Sequence, residues 1–101
     1  MSTELTVIND LTVTGLKYQP IEANAMHGGG QLLFRFDNGY GASVIRHNFS
    51  YGRREGLFEL AVIKFYGEDW SLCYDTPITD DVLGRLTGQE VLQTLDQIAA
   101  L

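Results

Sequence analysis

Cysteine, proline and long apolar runs are scarce in this chain, and each scarcity removes a class of protein. Cys73 is the only cysteine among 101 residues, so no internal disulfide can form and a reducing compartment is expected. No uninterrupted apolar run is longer than Leu60 to Ile63, which falls far short of the roughly 20 residues that a spanning helix needs. Met1 to Thr6 offers neither the basic region nor the apolar stretch of a secretory signal. These absences predict a cytoplasmic protein with no membrane segment. Two prolines against eleven glycines point to tight turns rather than a disordered linker.

Motifs for common chemistries are missing as well. Neither Gly-x-x-x-x-Gly-Lys-Ser/Thr nor Gly-x-Gly-x-x-Gly occurs, which removes the familiar phosphate loops. His27 before Gly28-Gly29-Gly30 is similar to an esterase oxyanion loop, but the companion Gly-x-Ser-x-Gly elbow is absent. His27, His47 and Cys73 do not fall at zinc-ligand spacing, so no metal or cofactor is expected. Cys73, flanked by Leu72 and Tyr74, reads as a buried small hydrophobe rather than a nucleophile. Glu59 is the one acid set inside a strongly apolar stretch. No catalytic residue is assigned, and the chain reads as non-enzymatic.

What is present begins with charge. The net charge is -6, and it arises entirely after Phe65. Glu68, Asp69, Asp75, Asp80, Asp81, Glu90 and Asp96 there face a single base, Arg85, whereas acids and bases balance in the first part of the chain. An acidic surface of this kind disfavours direct nucleic-acid binding, which relies on several Lys/Arg contacts to phosphate. Arg46, Arg53 and Arg54 form the one local cluster of bases and leave room for only a small basic face.

Periodicity supplies the fold class. Leu5, Val7, Leu11 and Val13 alternate with threonines, which predicts a strand or a hairpin turning at Asn9-Asp10. Residues 22–30 read as a loop. Leu32, Phe34 and Phe36, then Asp37-Asn38-Gly39-Tyr40, then Ala42, Val44 and Ile45 predict a hairpin. A two-residue Asn-Gly turn there pairs Phe36 with Gly41, Phe34 with Ser43 and Leu32 with Ile45. Leu57 to Phe65 predicts a central strand, and Trp70, Leu72 and Tyr74 the returning one. Thr79-Asp80-Asp81 predicts a short helix to about Leu86. Thr87-Gly88-Gln89-Glu90 is a capping-box pattern, and Val91, Leu92, Leu95, Ile98 and Ala99 form one apolar stripe on a final helix. The expectation is a single α+β domain over residues 1–101: an antiparallel, hairpin-connected sheet of about five or six strands with a C-terminal helix packed on one face.

Gly39-Tyr40-Gly41-Ala42-Ser43-Val44-Ile45-Arg46-His47 and Cys73-Tyr74-Asp75-Thr76-Pro77-Ile78-Thr79-Asp80-Asp81-Val82-Leu83 resemble segments of small uncharacterised proteins encoded by tailed phages and prophages. The resemblance covers residues 31 to 100. It implies a bacterial host cytoplasm and brings no activity or site residue with it.

The function expected from these features is binding of a host or phage protein through the acidic C-terminal surface and exposed turn aromatics. Tyr40, Tyr51, Arg53, Arg54, Asp80, Asp81 and Asp96 are the candidate contact residues. The alternative is a small enzyme or ligand-binding domain that uses the Gly28–Gly30 loop with His27, His47 or Cys73. A further alternative is a homo-oligomer built through a sheet edge, with a structural role.

Overall fold

The computed structural model describes residues 3–50 and 52–101. Helix α1 (Thr3–Val13) leads into β1 (Glu22–Met26), β2 (Gly29–Arg35) and β3 (Tyr40–Arg46). A single 3-10 turn, Arg53–Glu55, precedes β4 (Phe58–Tyr66), β5 (Asp69–Leu72), β6 (Leu83–Leu86) and helix α2 (Gly88–Ala99). The sheet is antiparallel throughout, in the order β1-β2-β3-β4-β5. β6 shares the outer edge of β4 with β5: β5 pairs Ile63–Tyr66, and β6 pairs Phe58 and Leu60. The architecture is the expected α+β sheet with a C-terminal helix on one face, joined by a second helix at the start.

Both helices cover the same face. Val7 and Leu11 of α1 and Val91, Leu95 and Ile98 of α2 meet Leu32, Phe34, Ala42, Val44, Phe58, Leu60 and Val62 from the sheet. Each of those side chains is at most 3% exposed. Burying one large apolar side chain of this kind stabilises the fold by ~1.5–3 kcal/mol before entropy is subtracted. The opposite face carries a smaller cluster of Leu33, Ile63 and Phe65, with the Arg35 guanidinium 4.6 Å from the Phe65 ring centre. Gln31 donates to the Ser43 hydroxyl on that face.

The start of the chain is helical where a strand was expected. Val7 and Leu11 stand one helical turn apart and both are buried, whereas Leu5 and Val13 are exposed. The i, i+4 pair therefore decides the element, because it is the pair that meets the sheet. Thr12 and Thr14 donate their hydroxyls to the carbonyls of Ile8 and Leu11, which absorbs polar groups that a strand would point outward.

The central hairpin differs from the expected register by one residue. Arg35 pairs with Gly41, Phe34 with Ala42 and Leu32 with Val44. The loop holds three residues, Asp37–Gly39, and only Gly39 takes positive φ, at 85°. Since strand side chains alternate between faces, this slip puts Ala42 and Val44 in the core and Ser43 on the far face beside Gln31. Asn38 has another task. Its amide nitrogen donates to the carbonyls of Ile98, Ala99 and Leu101 at the end of α2, while its Oδ1 accepts from the Tyr40 N–H. α2 has no basic residue in its last turn, so Asn38 supplies the donor there. Asn38→Ala is expected to lower stability by about 1–2 kcal/mol through the carbonyls left unpaired. Asn38→Asp should not restore it, because a carboxylate repels the negative end of the helix. Urea denaturation of the two variants checks both statements.

The stretch read as a short helix after Asp80 is instead a turn followed by β6. The Thr79 hydroxyl donates to the Asp81 carbonyl and accepts from the Asp81 N–H, and Asp81 Oδ1 accepts from Val82. Such local side-chain bonds compete with a helical start. The free lower edge of β4 then takes up Leu83 and Leu86. The capping box at Thr87 and Glu90 is formed in both directions.

Candidate anion-binding site

Residues 22–30, expected to be a loop, form β1, a two-residue turn and the start of β2. Met26 pairs with Gly29, leaving His27 and Gly28 as the turn, with φ values of 46° and 79°. Two consecutive positive φ values make this a type I′ turn, whose twist matches the flanking strands. Gly29 lies so close to β3 that a Cβ would sit 1.9 Å from the Arg46 carbonyl oxygen. The hairpin tip is thereby pressed onto the end of β3, and the Asn48 N–H donates to the His27 carbonyl at 2.9 Å. His27 and His47, distant in sequence, end with ring centres 5.3 Å apart.

His47 opens a turn that closes at Ser50. Its N–H donates to the Ser50 hydroxyl, and the Ser50 N–H returns to the His47 carbonyl. The Phe49 N–H donates to His47 Nδ1 at 3.0 Å. Nδ1 is therefore an acceptor, so the neutral imidazole carries its proton on Nε2. His47 is 9% exposed, and burial first, then the charge of His27, lowers its pKa from the usual 6.5.

An open cup of about 520 Å³ lies against this corner, lined by Gly28, Gly29, Arg46, His47, Arg53 and Arg54 together with Thr6 and Val7 of α1. Arg46 is a fixed wall. Its guanidinium forms an ion pair with Asp10, donates to the Gly56 carbonyl and lies 4.9 Å from the Phe58 ring centre. Arg53 and Arg54 are exposed on the 3-10 turn, which is held between Gly52 and Gly56, both left-handed. Among the described residues no carboxylate pairs with either guanidinium. Arg85 stands beside the same turn, 3.7 Å from Glu55. Arg46, Arg53, Arg54 and Arg85 thus gather, with Asp10 and Glu55 as the ion-pair acids among the described residues, at one end of a protein whose net charge is -6.

The other predicted contact residues do not join this corner. Tyr40 starts β3, roughly 20 Å from Arg46 at its end, and lies half-buried against the core with Lys64 over its ring. Tyr51 lies outside the described residues. Asp80 and Asp81 are exposed on the segment before β6. Asp96 accepts from Tyr18 at 2.5 Å and from Lys17 at 3.1 Å. The Tyr18 hydrogen bond, then Lys17, holds its carboxyl below the usual range. Two further acids have internal partners: Glu90 closes the capping box, and Asp75 accepts from the Cys73 thiol. Cys73, expected inside the returning strand, lies one residue past the end of β5, its N–H donated to the Val62 carbonyl of β4. Burial, then the Asp75 bond, raises its pKa, which keeps it a thiol.

The sequence pattern marked Arg46, Arg53 and Arg54 as a local group and, separately, offered the Gly28–Gly30 loop with His27, His47 or Cys73 as an alternative site. The signal that joins them is His27-Gly28, two residues that tolerate positive φ and so turn a hairpin back onto His47.

The lowered pKa of His47 has a consequence for stability. The unfolded chain takes up a proton as pH falls through about 6.5, whereas the folded chain resists it. Stability is expected to be full above pH 7 and to decline as pH drops from 6.5 toward the lower folded value. Urea midpoints at pH 7.5 and 5.5 measure it, with His47→Gln as the reference that should lose less. Equal losses in both proteins would contradict the assignment.

No protein-family model matches this chain, and no curated protein or solved structure matches it significantly. Among the described residues, no helix is long and apolar enough to cross a membrane, and no cluster of metal-binding side chains occurs.

Proposed function

We propose that this protein is a ligand-binding module whose ligand carries a compact anionic group, seated in the cup at the end of β3. One observation carries the reading: a buried neutral imidazole, held by Phe49 so that its remaining N–H is a donor, stands in the same cup as three arginines. Arg46 sets the wall, Arg53 and Arg54 supply exposed cations, and His47 adds a neutral imidazole N–H. Guanidinium groups match the geometry of phosphate and carboxylate oxygens. Cys73 does not line the cup, and Asp75, Glu90 and Asp96 of the acidic segment are bonded within the fold.

The test is titration calorimetry with inorganic phosphate at low ionic strength and again in 0.3 M salt, a condition chosen at roughly twice physiological ionic strength. Saturable binding that weakens with salt is expected, since the cations are partly exposed. The absence of any binding heat at low salt would contradict the reading.

A further inference from the structure

The wall of the cup continues into an aromatic shelf. His27, His47 and Phe49 pack edge to face, with ring centres 5.3, 5.3 and 6.2 Å apart. Phe49 is 77% exposed, an unusual setting for a phenyl ring on a short turn. The ring is not on a loose segment: its own N–H is bonded to His47, and the residue before it is bonded to His27. A held, exposed aromatic ring that touches His47, which itself lines a cup of guanidinium groups, offers two different contacts side by side. One suits an anion, and the other suits a flat π-system.

We infer that the ligand of this site is a nucleoside monophosphate, its phosphate on Arg53, Arg54 and His47 and its base stacked on the exposed Phe49 ring. This rests on the anion-binding reading above and narrows it. The cup's volume of about 520 Å³ lies within the usual range for small-molecule sites. Base–aromatic stacking is tolerant of sequence and adds affinity that a bare sugar phosphate lacks. The net charge of -6 argues for a mononucleotide over a nucleic-acid strand, because a long polyanion would meet the acidic remainder of the surface.

The experiment compares AMP, ribose 5-phosphate and adenosine by calorimetry on the wild type and on Phe49→Ala, with thermal melts confirming that both are folded. AMP is expected to bind about tenfold more tightly than ribose 5-phosphate. Phe49→Ala should erase that ratio by weakening AMP far more than ribose 5-phosphate, since the phenyl ring is exposed and touches the site through His27 and His47. Equal binding of AMP and ribose 5-phosphate to the wild type would overturn the nucleotide assignment while leaving the anion site standing. An undiminished ratio in Phe49→Ala would overturn it too. If neither phosphate compound bound, both the assignment and the anion site would fall.

Discussion

Gly41→Ala is expected to unfold the protein or bring it close to unfolding. A Cβ at this position would lie 2.0 Å from the Phe34 carbonyl oxygen and 2.8 Å from the Phe65 ring. The first obstacle is backbone of the paired strand, which cannot swing aside as a side chain would. Relief requires β2 and β3 to separate, and these two strands carry Leu32, Phe34, Ala42 and Val44 into the core. The cost should reach about 3–5 kcal/mol, in the range of the most damaging substitutions and a large share of the ~5–15 kcal/mol that holds a domain together. The companion is Gly39→Ala. Gly39 has φ 85° but open space around it, so only backbone strain arises, about 1 kcal/mol. Urea denaturation should therefore separate two glycines of one hairpin by more than about 2 kcal/mol. A small loss at Gly41 would mean that the strands do not approach as described.

The second large effect concerns binding. Arg53→Ala combined with Arg54→Ala should weaken phosphate binding by about a hundredfold, one factor of ten for each charge-assisted contact at ~1.4 kcal/mol. Both side chains are exposed, and neither belongs to the core, so the melting temperature should stay within about 2–3 °C of the wild type. Lysine at both positions should restore part of the affinity by charge alone, without the planar fork that grips two oxygens. Arg46→Ala is a poorer test of the site. It also breaks the pair with Asp10 and the bond to Gly56, so lost affinity could not be separated from a disturbed β3 terminus.

The two ends of the chain were not equally legible in its sequence. α2 was readable because its signals agree: a reciprocal cap at Thr87 and Glu90, and buried positions Val91, Leu95 and Ile98 spaced as one helical face. β4 was readable because Leu60 to Ile63 leaves no amphipathic alternative of sufficient length. α1 was misread because Leu5, Val7, Leu11 and Val13 satisfy a period of two, while only Val7 and Leu11 prove to be buried. Local pattern could not tell which pair meets the sheet. The hairpin differs by one residue because its loop holds three residues rather than two, and the Asn38 side chain is bonded to the end of α2, a partner some sixty residues away that the local pattern does not show. The site was half legible. Arg46, Arg53 and Arg54 stand close in sequence, but the step from scattered histidines to a cup depends on Gly29 packing under the Arg46 carbonyl, a tertiary fact.

The most direct test of the account is an amide NMR spectrum of the whole chain recorded while inorganic phosphate is added. The account predicts saturable shifts centred on Gly28, Gly29 and His47 and on the turn from Gly52 to Gly56, with the His47 ring proton moving in step. Shifts centred instead around Lys17, Arg35 or Lys64, the cations elsewhere on the surface, would contradict it.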